Sequence, residues 1–141
     1  MLENALRKAR SLRATSATVL GVDTLVALGA RTLGKPSDEG EAREFLTELS
    51  GREHEVHSGL ALRGPAGERA ERATTRVRFR ALAQAELDWY LASGEWRERA
   101  GGYAIQARGA ALVERIEGDY SNVVGLPVSL LVRMAPWLLG I

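Results

Sequence analysis

Cysteine is absent from the 141-residue sequence. That excludes disulfide frameworks, thiol nucleophiles and cysteine-ligated metals, and leaves the redox compartment open. Histidine is nearly absent: His54 and His57 are the only imidazoles, too few for a histidine-based zinc enzyme without carboxylate help. Lysine is scarce in a different way, since of 19 basic residues only Lys8 and Lys35 are lysine. The skew reads either as chance or as a coding bias that installs arginine wherever it serves. In the second case the two survivors mark places that need a compact ammonium and not a planar guanidinium. No sign of charge dominates, with 19 basic against 18 acidic residues and a net charge of +1, which argues against a dedicated nucleic-acid-binding domain. Long hydrophobic runs are also missing. The most apolar stretch, Leu126 to Ile141, is interrupted by Pro127, Arg133 and Pro136 and falls short of the roughly 20 residues that span a bilayer. Met1-Leu2-Glu3-Asn4 has none of the apolar character of a signal peptide. The expectation is a cytoplasmic protein with neither a membrane nor a nucleic acid as partner.

What remains is a chain of one domain's length, residues 1–141, with 45% hydrophobic and 26% charged residues, enough to build a real core. Ala5 to Leu12 reads as a short helix with Leu6 and Ala9 inward. Thr18 to Leu28 is a near-continuous apolar run, as in a strand buried on both faces. Gly29 closes it, and Leu33-Gly34-Lys35-Pro36 reads as a loop. Asp38 followed by Glu41 forms a capping pattern, after which Ala42, Phe45, Leu46 and Leu49 lie on one helical face; Ser50-Gly51 ends that helix. Two alternating strands follow across the turn Gly64-Pro65-Ala66-Gly67. The first puts His54, Val56, Ser58, Leu60 and Leu62 on one face, and the second puts Arg72, Thr74, Arg76 and Arg78 on a wet, basic one. Ala83, Leu87, Tyr90 and Leu91 mark a further helix ended by Gly94. Arg99 to Gly109 is a glycine-rich loop, Ala111 to Glu117 a strand, and Pro127 suits the first turn of a C-terminal helix. Strands mixed with helices give an α/β fold: a mixed, twisted sheet flanked by helices.

Few residues carry chemistry. Asp23 is a carboxylate inside an apolar strand, a costly placement unless it is paired, coordinated or at an exposed strand end. It reads either as the cap of a nearby turn or as a metal ligand or general base. Lys35, in Gly34-Lys35-Pro36, suits contact with a phosphate as a point charge, or is an ordinary exposed lysine; Walker spacing is absent. Gln106 closes Ala100-Gly101-Gly102-Tyr103-Ala104-Ile105-Gln106, which permits close backbone approach to a ligand, and its amide can both donate to and accept from a base edge. The alternative is a flexible surface loop. His54 and His57 face opposite ways from one strand, so they form no joint site. Trp89, Trp96 and Trp137 read as core or interface residues.

Taken together, the motifs resemble the Maf family in order and spacing. They are Gly21-Val22-Asp23-Thr24, Leu33-Gly34-Lys35-Pro36, Leu49-Ser50-Gly51, His54-Glu55-Val56, Ser58-Gly59, Gly94-Glu95, the glycine segment through Gln106, and the run from Glu114 to Pro127. The resemblance covers essentially the whole chain. It implies a Maf and inosine triphosphate pyrophosphatase-like fold, and hydrolysis of a nucleoside triphosphate to a monophosphate and pyrophosphate with a divalent cation, Mg or Mn. It implies that Asp23 is the proton acceptor and a metal contact, and that Lys8 and Lys35 bind phosphate. Thr24 and Gln106 look like the members acting on dTTP and UTP, and a homodimer is implied. An alternative is a catalytically impaired nucleotide binder or septation-linked regulator. Val22, Arg99, Ala104 and Ala107 depart from the family's usual residues. The family also opens with a strand running into Ser-x-Ser-Pro-Arg-Arg, and this sequence has no such segment before Lys8. The expectation is therefore a missing N-terminal strand, from an internal start at Met1 or a degraded remnant.

Overall fold

A computed structural model describes residues 1–11 and 18–141. In chain order the elements are α1 (Leu2–Arg10), β1 (Val19–Leu28), β2 (Arg31–Leu33), α2 (Glu39–Leu49), β3 (Glu53–Gly64), β4 (Gly67–Phe79), α3 (Gln84–Ala92), β5 (Val113–Glu117), α4 (Tyr120–Val124) and α5 (Val128–Met134), with short 3-10 turns at Ala100–Gly102, Arg108–Leu112 and Pro136–Leu139. The strands form one open sheet in the order β2-β1-β3-β4-β5. Its class is α/β as expected, but the strands are antiparallel and not mixed. The difference arises at β2. A tight turn folds it back on β1, pairing Val26 with Leu33 and Leu28 with Arg31, so α2 leaves from the reversed strand. Three residues are too few to show a period, which is why Leu33 read as loop. The helix expected from Ala5 to Leu12 begins earlier, at Leu2; Leu12 lies outside the described residues.

The chain divides into two compact units. The first comprises Met1–Thr24, His57–Thr74 and Asp119–Ile141. Strand β3 is covered on both faces here. On one, Ala5 and Ala9 of α1 pack with Ala61, Val19 and Ala70. On the other, Leu130 and Met134 of α5 pack with Leu60, Leu62, Val22 and Ala73. Leu60 and Ala61 alternate across β3, so the pleat itself assigns one helix to each face. The expectation that this hairpin leaves one face wet holds on β4, where Arg72 and Thr74 are exposed, and fails on β3, where Gly59 and Ala61 are buried. Small residues at both positions let a helix come close. A Cβ at Gly21 would lie 2.1 Å from the carbonyl oxygen of Ala5 and 2.7 Å from the amide nitrogen of Ala9, and one at Gly59 would lie 3.0 Å from the carbonyl oxygen of Met1. Helix α1 therefore rests on the sheet backbone to backbone. The apolar run of β1 is less buried than its composition implies: Gly21, Val26 and Leu28 are buried, the others partly so, and Leu20 is exposed.

The second unit comprises Leu25–Val56 and Thr75–Gly118. Asp38 caps α2 as expected, accepting from the Glu41 amide at 2.8 Å. The Glu41 carboxylate returns to the amide of Ser37 at 3.0 Å and not to that of Asp38. Ala42, Phe45, Leu46 and Leu49 are all buried, each large one contributing about 1.5–3 kcal/mol. The wet basic face is present here, and paired. Arg76 bonds Glu117, Arg78 bonds Glu114 at 2.9 Å, and β4 and β5 are antiparallel along this ladder. Trp96 is buried, with its indole N–H donating to the Leu91 carbonyl. Trp89 is exposed beneath the Arg108 guanidinium. In the first unit, α4 was not foreseen; Asp119 caps it through the Ser121 amide at 2.8 Å. Pro127 is the residue before α5 and not within its first turn.

His54 is buried, with its Nε2 2.7 Å from the Tyr103 hydroxyl and its ring edge-on to Phe79. Burial pushes its pKa down to about 4. The unfolded chain therefore takes up a proton below about pH 6.5 that the folded chain refuses, so stability is fully present above pH 6.5 and is lost as pH falls toward 4.

Two outcomes are expected from this packing. Gly21→Ala lowers stability by about 1–3 kcal/mol in urea unfolding, while Gly40→Ala, whose new Cβ meets only an Asp38 oxygen at 3.4 Å, raises it by about 0.5–1 kcal/mol; equal stabilities would contradict the contact. Between pH 7 and 4 the parent chain loses about 3 kcal/mol more than His54→Gln, and parallel stability curves would show that His54 is not the group excluded from charging.

Candidate active site

Asp23 lies in β1 two residues past Gly21, and the close approach at Gly21 decides what reaches it. Helix α1 runs near enough for Lys8 to extend its ammonium to the Val22 carbonyl at 2.8 Å and to Asp23 Oδ1 at 3.1 Å. The amide of Asn4, one helical turn earlier, donates to Asp23 Oδ2 at 3.3 Å. Asn4 Oδ1 in turn accepts from Arg7, which fixes the amide with its nitrogen toward Asp23. Each Asp23 oxygen thus accepts one hydrogen bond. An ionised carboxylate has about four acceptor positions, so capacity is left for a water molecule. The turn-capping alternative for Asp23 has no support, since its partners are side chains of a helix remote in sequence. Thr24, on the opposite face of the pleat, has its hydroxyl 2.9 Å from that of Ser58. Sequence reasoning missed Asn4, which stands in an ordinary amphipathic helix and carries no motif.

Lys35 and Gln106 belong to the second unit. Lys35 is exposed, 3.6 Å from a Glu98 carboxylate oxygen. The loop that carries it is tied to the glycine segment through the Gly101 amide, which donates to the Gly34 carbonyl at 3.0 Å. That segment is not the flexible surface loop offered as an alternative: Gly101, Gly102, Tyr103, Ala104 and Ile105 are all buried. Burial holds the Tyr103 hydroxyl protonated, well above its usual range. Gln106, Ala107 and Arg108 then emerge at an exposed tip. Among the sequence-derived candidates, the structure brings Lys8 onto Asp23, with Thr24 next in the chain, and links the Lys35 loop to the segment that ends in Gln106.

Among the described residues, no group of three or more His, Asp or Glu stands where it could hold a metal ion. The donor set does not fit a resident, protein-caged metal. Asp23 offers a single carboxylate beside an ammonium, which fits a cation only as one contact. No helix among the described residues is long and apolar enough to cross a membrane.

The Lys8–Asp23 pair is partly exposed, so it contributes little to stability. Lys8→Met is expected to shift the unfolding free energy by less than about 1 kcal/mol. A loss above 2 kcal/mol would make the pair a structural tie.

Known proteins are similar to this chain throughout its length. Residues 1–136 match the model of the family described as Maf-like protein. The dTTP/UTP pyrophosphatase of Deinococcus radiodurans is 47% identical over 135 residues, covering 94% of this chain and 69% of that protein. The dTTP/UTP pyrophosphatase of Myxococcus xanthus is 52% identical over 132 residues, covering 89% and 67%. That of Pyrococcus furiosus is 45% identical over 119 residues, covering 83% and 62%. The chain spans about two thirds of the length of these relatives. A family match over residues 1–136, with relatives near half identity, places the chain in the Maf family.

Proposed function

We propose that the chain is a nucleoside triphosphate pyrophosphatase that hydrolyses dTTP and UTP to the monophosphate and pyrophosphate. The names of the relatives support the substrate class, and the observation that carries the chemistry is Asp23 held between Lys8 and Asn4. The proposal treats residues 1–141 as one catalytic domain, acting as a cytoplasmic homodimer as the family resemblance implies.

Asp23 is the general base in this reading. Two of its acceptor positions face Lys8 and Asn4, and a third takes a proton from water. The oxygen of that water bonds to the α-phosphorus, and the bond from the α-phosphorus to the bridging oxygen breaks with its electrons leaving on pyrophosphate. Lys8 has three N–H donors and uses two of them on Val22 and Asp23, so the third is available to a phosphate oxygen. Lys35 supplies a second ammonium on its exposed loop, its distant Glu98 partner easily exchanged for a more highly charged triphosphate. A divalent cation arriving on the triphosphate would supply charge neutralisation, with Asp23 as one protein contact. Gln106 reads the base, donating to an exocyclic oxygen of uracil or thymine and accepting from the ring N–H. Thr24, directly after the base, completes the set on the side of Ser58.

The test is Asp23→Asn, which keeps the side chain's shape and removes its basicity. Pyrophosphate release from dTTP is expected to fall by about 100- to 10,000-fold with the melting temperature unchanged. A variant that keeps most of the parent kcat would overturn the assignment, and a parent chain that binds dTTP without releasing pyrophosphate would favour a nucleotide-binding role instead.

A further inference from the structure

The exposed tip that carries Gln106 is tied down on both sides, by residues to which the proposed reaction gives no part. On its N-terminal side the Ala104 amide donates to the Tyr90 hydroxyl at 2.8 Å. On its C-terminal side the amides of Arg108 and Gly109 donate to the Glu95 carboxylate at 3.2 and 3.3 Å, one to each oxygen. The two ties are neighbours, since burial as the main cause, and the Glu95 carboxylate after it, raise the pKa of the Tyr90 hydroxyl. Tyr90 is fully buried in α3 and Glu95 is half-buried just beyond that helix. The loop is also pinched at its base: a Cβ at Gly109 would stand 2.0 Å from the Ala104 carbonyl oxygen. Gln106 and Ala107 therefore project from a closed base, held by hydrogen bonds of which two are assisted by the carboxylate charge.

We propose that Glu95, acting with Tyr90, is a positioning residue that presents Gln106 in a fixed orientation to a pyrimidine base. The proposal rests on the reading of Gln106 as the base contact. An amide discriminates uracil or thymine from a purine only if its donor and acceptor meet the base edge in register. An amide on a mobile loop adapts to either class, whereas one on a clamped loop leaves unpaired groups against the wrong base. The expense of a half-buried carboxylate at this place is explained by that task, because a structural loop of this length needs no charge to close it. Neither Glu95 nor Tyr90 touches substrate; they act through the backbone on either side of Gln106.

The experiment combines amide exchange in the free protein with binding of the α,β-methylene analogues of dTTP and dGTP to the full chain. In Glu95→Gln, and independently in Tyr90→Phe, which keeps the buried ring, amides around residues 104–109 are expected to exchange faster. The preference for the dTTP analogue is expected to fall by about 10-fold, with affinity for inorganic triphosphate unchanged. Unchanged exchange in both variants overturns the clamp. Faster exchange with an intact preference, where Gln106→Ala abolishes that preference, overturns the positioning role and leaves the reading of Gln106 standing. A parent chain without pyrimidine preference, or Gln106→Ala that retains it, overturns that reading and the proposal with it.

Discussion

The contact of α1 with the backbone of β1 at Gly21 is the constraint on which the candidate site depends. With no side chain at Gly21, and only methyls at Ala5, Ala9 and Ala61, the helix settles against the strand at a distance that any larger residue would forbid. Lys8 then spans the remaining gap to Asp23 with its four-carbon stem and still bonds the Val22 carbonyl. An arginine in its place would bring a planar fork where two acceptors converge on one point charge. The packing thereby explains why one of only two lysines in an arginine-rich chain stands here. It also shows what a carboxylate in an apolar strand bonds to: an ammonium and an amide.

Much of this was legible in the sequence because it rests on local exceptions. Asp23 breaks an apolar run, Lys8 is one of two lysines among 19 basic residues, and Asp38 with Glu41 forms a pattern of fixed spacing; each led to a residue with a definite partner. What escaped notice was set by contacts remote in sequence. The burial of Gly59 and Ala61 depends on a helix arriving from the N-terminus, which no alternation along β3 reveals. Strand β2 is too short to show a period and exists because β1 lies beside it. Asn4 lacks any signal of its own, since an amide in a surface helix is common and only the geometry of Asp23 gives it a role. The sheet's antiparallel character was hidden for the same reason as β2.

The glycine segment shows how a composition can point to the right place for an incomplete reason. Its glycines suggested close approach to a ligand or simple flexibility. Within the second unit, Gly101 and Gly102 pack against Val26 and Ala42, so much of that permissiveness is used for approach to the protein's own core. The exposed residues of the tip are carried on a base that includes the buried Tyr90 hydroxyl and the half-buried Glu95 carboxylate. Within this base the Tyr103 hydroxyl is paired with His54, the Ala104 amide with the Tyr90 hydroxyl, and the Arg108 and Gly109 amides with Glu95.

In the proposed reaction Asp23 directs water to the α-phosphorus. Hydrolysis of dTTP in water enriched in oxygen-18, followed by phosphorus NMR of the products, reads that directly. Attack at that phosphorus gives dTMP and pyrophosphate as products, with the heavy oxygen in dTMP and none in pyrophosphate. Label in pyrophosphate, or release of orthophosphate with dTDP, would contradict it.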